Sequence, residues 1–375
     1  MNVNDSVLKN EEKAVFRLRS LYGRYGYSQY QMSKFEEYDL YVRNKSFLVS
    51  DQVITFTDIN GKLMALKPDV TLSIVKNTKD IPDGLQKMYY NENVYRVSGG
   101  GHSFREIMQV GAECIGAVDA YCISEMLTMA MESLREISDE FVLDVSHLDI
   151  VSAVLESLEV SEDAAKRLLT CIGEKNLHGV GEICDAESVT PQKRRDLELL
   201  ITTYGEAEPV LRQLRQGLTD PGALSALDQL QEILEAIPSD PDKSRVHVDF
   251  SVISDMNYYN GIVFKGFVQG IPTRILSGGQ YDRLMRRMGK RSGAVGFAVY
   301  LDLLDELSRE VRAYDVDGVL LYGEGTSPAA VAKAVRQLNS DGSSVIAVRS
   351  LPEKLTYRKL WKWNGKEVEL LETHA

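Results

Sequence analysis

Three short stretches of this 375-residue chain carry side chains able to hold a small charged molecule. Alternation along a strand puts Gln109, Gly111 and Glu113 on one face, where a bare glycine beside two polar groups leaves room for a ligand. An amide and a carboxylate together suit an ammonium group. Residues 66–71, Leu-Lys-Pro-Asp-Val-Thr, taken alone read as a strand ending in a proline turn that caps a helix starting near Thr71. The third stretch is Tyr258-Tyr259 before the β-branched Ile262-Val263, and a tyrosine pair in that setting is most often core packing. The five histidines (His102, His147, His178, His247, His374) have no metal-like spacing, so no metal is expected. Cys114, Cys122, Cys171 and Cys184 lack paired ligand spacing and read as buried thiols.

The elements that must position these residues follow from periodicity. Helical spacing over residues 13–25 is broken by Gly26, and an extended segment follows at 27–30. Residues 53–66 alternate around Asp58-Ile59-Asn60-Gly61, a hairpin signal. A second antiparallel pair is expected at 88–97 and 104–115, flanking a glycine-rich loop at 98–102. From about 148 to 240 the pattern turns helical, with Ser161-Glu162-Asp163 as a helix start. Strand-prone sequence returns at 246–250, so the helices read as an insert within one sheet. The tail reads strand (318–322), helix (328–338), strand (344–348), an α/β unit. The expected domains are 1–312 and a truncated α/β domain at 313–375.

Composition excludes several classes. Forty-three basic against 55 acidic residues give a net charge of −12, which repels phosphate backbones on average and argues against tRNA as a partner. No apolar run approaches the roughly 20 residues of a membrane span, and residues 1–6 lack the features of a secretory signal. The expected compartment is the cytoplasm.

The succession of residues 66–71, Asn93-Val94-Tyr95-Arg96, Phe104-Arg105-Glu106 and residues 109–113 resembles motif 2 of the histidyl-tRNA synthetases, and the resemblance runs from about residue 11 to 308. It implies an α+β, class II aminoacyl-tRNA synthetase-like fold, an antiparallel sheet with flanking helices. It also implies that Asp69, Thr71, Gln109 and Glu113 bind histidine, that Tyr258 and Tyr259 line an imidazole pocket, and that Arg96 and Arg105 belong to a vestigial ATP site. Residues 254–264 resemble the histidine-specific signature, but Ser254 stands where the family has its leading arginine and Gly261 where it has a later one. Residues 277–282 and 294–303 resemble motif 3, with Gln280 for an arginine, Tyr300 for a glycine and Leu303 for the arginine that binds the γ-phosphate. Without those guanidinium groups, phosphoryl-type chemistry lacks its charge stabilisation.

The pattern is similar to the regulatory subunits of ATP phosphoribosyltransferase, paralogues of the synthetases. That likeness implies no synthetase activity, no cofactor and histidine as effector. It implies a homodimer through residues 38–53, and a hetero-octamer with the short-form catalytic subunit. Two alternatives stay open: a divergent histidyl-tRNA synthetase, and a pseudo-synthetase acting on another partner. A complete anticodon-binding domain would be roughly 90 to 100 residues, more than the tail from 313 to 375 provides.

Overall fold

The computed structural model describes residues 8–44, 53–97, 103–238, 241–253, 258–306 and 314–374. Contacts divide the chain into two compact units, Met1–Ser308 and Arg309–Ala375. The first begins with α1 (Asn10–Arg24), β1 (Ser28–Gln29), β2 (Phe35–Glu37) and α2 (Tyr38–Arg43). The expected hairpin is β3 (Thr55–Thr57) and β4 (Leu63–Leu66), and β4 leads into α3 (Thr71–Asn77). Its turn works as the sequence requires: Gly61 has φ +79°, and one carboxylate oxygen of Asp58 accepts from Asn60 N–H and Lys62 N–H, both at 2.8 Å. The long antiparallel pair is β5 (Leu85–Val97) and β6 (Phe104–Gly116), followed by α4 (Ala120–Arg135) and β7 (Phe141–His147).

The insert is α5 (Leu148–Ser157), α6 (Glu162–Gly173), α7 (Leu177–Ala186), α8 (Pro191–Thr202), α9 (Ala207–Gly217) and α10 (Pro221–Glu235). Ser161 caps α6 by accepting from Ala164 N–H at 3.3 Å. The insert is not purely helical: β8 (Gly205–Glu206) pairs with β9 (Val246–Val248) and supplies the edge of the main sheet. After it come β10 (Asn260–Val268), β11 (Leu276–Gln280), α11 (Asp282–Arg287) and β12 (Gly293–Tyr300). The nine strands run in the order β1-β5-β6-β12-β11-β10-β7-β9-β8, antiparallel except for β1 with β5 and β7 with β9. Strands β2, β4 and β3 form a separate small sheet.

Helix α4 is the centre of the core. Asp119 caps it by accepting from Cys122 N–H at 2.9 Å, and within residues 122–134 only Glu132 is not buried. The helix lies between β7, β10 and β12 on one side and α1 and α10 on the other, so it is apolar nearly all round. Its polar exceptions are satisfied, as where Ser133 Oγ meets the buried Tyr22 hydroxyl at 3.1 Å. Where α4 crosses β10 the strand has Gly266, and a Cβ there would sit 2.8 Å from both methyls of Leu134. All four cysteines are buried free thiols.

The second unit holds the expected strand, helix and strand, β13 (Val316–Leu321), α12 (Pro328–Leu338) and β14 (Val345–Val348). It adds two strands beyond that expectation, β15 (Tyr357–Trp363) and β16 (Val368–Thr373), in the order β14-β13-β15-β16. Basic residues alternating with aromatics in β15 hide its apolar period. Gly318 on β13 is covered by the Trp361 indole, 1.9 Å from where a Cβ would lie.

Gly266→Ala is expected to lower stability in urea by about 1–3 kcal/mol, the range for overpacking a filled core. A midpoint equal to that of the parent protein would show that α4 and β10 are not packed this closely.

Candidate functional site

One face of the sheet, over β5, β6, β12, β11 and β10, forms the floor of a cavity of about 370 Å³. Strand register assembles that floor. Tyr90, Gly111, Ala298, Ser277 and Lys265 pair in turn across the five strands, with Glu113 beside Gly296 in the row on one side and Gln109 beside Tyr300 in the row on the other. The connection from β4 to α3 supplies Asp69, and the first residue of α3 is Thr71. It is anchored by the fully buried Lys67, whose ammonium meets Glu92 at 2.5 Å and whose carbonyl accepts from Tyr95 N–H at 2.9 Å.

Glu113 is 1% exposed and doubly held. The Thr71 hydroxyl donates to one carboxylate oxygen at 2.9 Å and the Tyr281 hydroxyl to the other at 2.6 Å. Burial raises its pKa to about 8, against the lowering effect of the two hydroxyls, and the nearby Asp69 adds to the rise. Asp69 is raised too, by burial first. The Leu72 N–H that donates to it at 2.9 Å and the Arg96 guanidinium pull it back. Tyr258 and Tyr259 meet in a tilted contact, 4.4 Å between ring centroids, and Tyr258 lies 6.2 Å from Tyr281. Room for the carboxylate depends on Gly296, where a Cβ would lie 1.7 Å from Glu113 Oε2.

Seven of the residues singled out in the sequence line this cavity: Asp69, Thr71, Arg96, Gln109, Glu113, Tyr258 and Tyr259. Arg105 does not. Its guanidinium is ion-paired with Asp302 at 2.9 Å, away from the lining. Leu303 is half-buried and packs against the main core. Ser254 and His102 lie outside the described residues. Gly111 is corrected: it leaves no space for a ligand, because the Tyr90 hydroxyl is 2.4 Å from where its Cβ would be. The glycine is there to let a tyrosine cross the strand.

Tyr90, Tyr281, Lys265 and Arg274 also line the cavity, and sequence reasoning did not assign them. A signal existed for Lys265, a lone charge in the otherwise apolar run 262–268. Two departures from the synthetase pattern fit one another: Gly261 has φ +59°, and Gln280 Oε1 accepts from Ile262 N–H at 2.9 Å. A Cβ at 261 would come within 2.2 Å of that oxygen. Tyr300, the third departure, shares a hydrogen bond with Ser277 at 2.9 Å.

The profile of the histidyl-tRNA synthetases matches residues 2–304. The chain belongs to this family. It is 26% identical over 77% of its length to an ATP phosphoribosyltransferase regulatory subunit of Oceanobacillus iheyensis, of which 71% is covered. It is 29% identical over 76% of its length to a histidine--tRNA ligase of Methanococcus vannielii, of which 69% is covered. Its fold matches a crystal structure from Bacillus halodurans described as an ATP phosphoribosyltransferase regulatory subunit/histidyl-tRNA synthetase. The TM-score is 0.73 at 23% identity, with 92% of this chain and 90% of that one covered. The architecture is that of a class II synthetase-like sheet with flanking helices and a small C-terminal sheet domain.

A pH dependence follows from Glu113. Unfolded, it titrates near 4.5, and folded at about 8. Between those values the folded chain holds the extra proton, so this group lowers stability as pH rises through the window. Relative to Glu113→Gln, the parent protein should lose urea resistance between about pH 5 and about pH 8. A difference between the two that stays constant with pH would contradict the shifted carboxyl.

Proposed function

We propose that the chain is the regulatory subunit of ATP phosphoribosyltransferase, a non-catalytic partner in the first step of histidine biosynthesis that relays feedback by histidine. One observation carries the reading. The cavity keeps the cluster of Asp69, Thr71, Glu113 and tyrosines suited to a cationic amino acid, while the position of the γ-phosphate arginine is Leu303, packed against the core. The name borne by the Oceanobacillus iheyensis relative agrees with it.

In this reading Asp69, Thr71, Gln109 and Glu113 bind the cationic groups of histidine, Tyr258 and Tyr259 cover its ring, and Arg96 is a remnant of nucleotide binding. The chain forms a homodimer and joins short-form catalytic subunits in a hetero-octamer, without tRNA. With no reaction of its own, its effect falls on the partner, and ligand binding shifts the assembly between active and inhibited states.

The Methanococcus vannielii relative favours a second reading, a divergent synthetase. The two differ in what happens to ATP. Attack of the histidine carboxylate on the α-phosphate of ATP expels pyrophosphate and needs cations on the developing charge, and a leucine at the γ-phosphate position cannot hold the departing pyrophosphate.

Two assays separate them. Alone, the chain should give no histidine-dependent exchange of pyrophosphate into ATP, and exchange at a synthetase's rate would establish the second reading. Mixed with a short-form ATP phosphoribosyltransferase of the same organism, it should co-elute and raise phosphoribosyl-ATP formation, with histidine reversing the gain through a coupling of about 1 to 3 kcal/mol. Separate elution with unchanged activity would refute the regulatory role.

A further inference from the structure

The cavity carries positive charge that the cluster around Glu113 does not use. Lys265, half-buried on β10, and Arg274, exposed just before β11, both line it. Among the described residues neither side chain forms a hydrogen bond or an ion pair. Lys67, Lys87 and Lys175, by contrast, each meet a carboxylate within 2.7 Å. The acids near Lys265, Asp144 and Asp249, act on it only through space, and each has another basic partner. Asp144, its cross-strand neighbour, faces His247 at 3.8 Å, and Asp249 is held by Lys175 at 2.7 Å. Burial lowers the pKa of Lys265 below the ordinary lysine range, and the charge of Arg274 lowers it further. Arg96, the other cation of the lining, donates to the Pro68 carbonyl at 3.2 Å and acts on Asp69.

Two cations that share a cavity wall repel one another, and an anion placed between them relieves that repulsion. The same cavity offers the carboxylates of Asp69 and Glu113. A ligand that satisfies both sets carries a cationic group and an oxyanion. We infer that Lys265 and Arg274 form an anion subsite that holds the carboxylate of a small zwitterionic ligand whose cationic group meets Asp69 and Glu113. The inference rests on the reading of this cavity as an amino-acid site. The subsite supplies a positive partner for the carboxylate even though Ser254 and Gly261 have taken the place of arginines. The planar guanidinium of Arg274 can engage a carboxylate through two parallel N–H donors, and the ammonium of Lys265 adds a point charge.

The test uses L-histidine and histidinol, which differ only in the carboxylate, titrated calorimetrically into the full-length protein and into the double variant Lys265→Gln/Arg274→Gln. The parent protein should prefer histidine by about tenfold or more, the scale of hydrogen bonds to charged groups. In the double variant that preference should fall to near one, while histidinol binds as before and so reports an intact fold. Histidine preference surviving in the double variant, or absent from the parent protein, overturns the subsite and leaves the amino-acid reading standing. A parent protein that binds neither compound overturns both.

Discussion

A carboxylate buried in the middle of the sheet, that of Glu113, is the constraint to which the cavity is fitted. Moving an ionised carboxylate out of water costs several kcal/mol even after relaxation. The fold offsets part of that with the hydroxyls of Thr71 and Tyr281, and leaves the rest as a carboxyl that keeps its proton up to about pH 8. Gly296 is required beside it because any side chain would occupy the same space. Tyr90 crosses Gly111 and closes the floor, and the adjoining rings of Tyr258 and Tyr259 form a wall. A group in this state gains most from a ligand that arrives with positive charge, since the ligand supplies what the protein withholds. Among the described residues no lysine or arginine bonds to Glu113.

The rest of the cavity departs from a nucleotide-using enzyme in linked pairs. Gln280 fills the room that Gly261 opens and accepts a backbone N–H there, so neither position leaves space for the longer side chain of the family pattern without moving the other. Tyr300 is tied to Ser277, and Arg105 to Asp302. The polar atoms of Gln280, Tyr300 and Arg105 each find a partner locally. The hydrogen-bonding capacity of these side chains is directed at the protein itself.

Much of this was legible in the sequence, for reasons that differ by element. The Asn60-Gly61 turn, the Ser161 cap and the grouping of Gln109 with Glu113 rest on local rules, and they hold because no tertiary contact opposes them. Asp69 and Thr71 reach Glu113 only through chain connection, and there the resemblance did the placing. What stayed hidden depends on register. Gly111 looked like space for a ligand because nothing in one strand tells that Tyr90 of the next lies across it. Tyr281 and Gly296 matter through a side chain more than a hundred residues away. Strand β8 has two residues, too short for any period, and β15 mixes lysines with tryptophans so that its inward side is not the apolar one by composition.

Binding of free histidine to the parent protein and to Glu113→Gln, measured by calorimetry at neutral pH, tests the central claim most directly. The variant keeps the shape of the side chain and one acceptor oxygen, turns the other oxygen into an NH2 donor facing a hydroxyl that can accept, and removes the capacity for charge. The account predicts one site per chain in the parent protein and an affinity lower by about tenfold or more in the variant, as expected for losing a charge-assisted contact in a buried site. Equal affinities would mean that the carboxylate at the centre of this cavity is not what recognises the ligand.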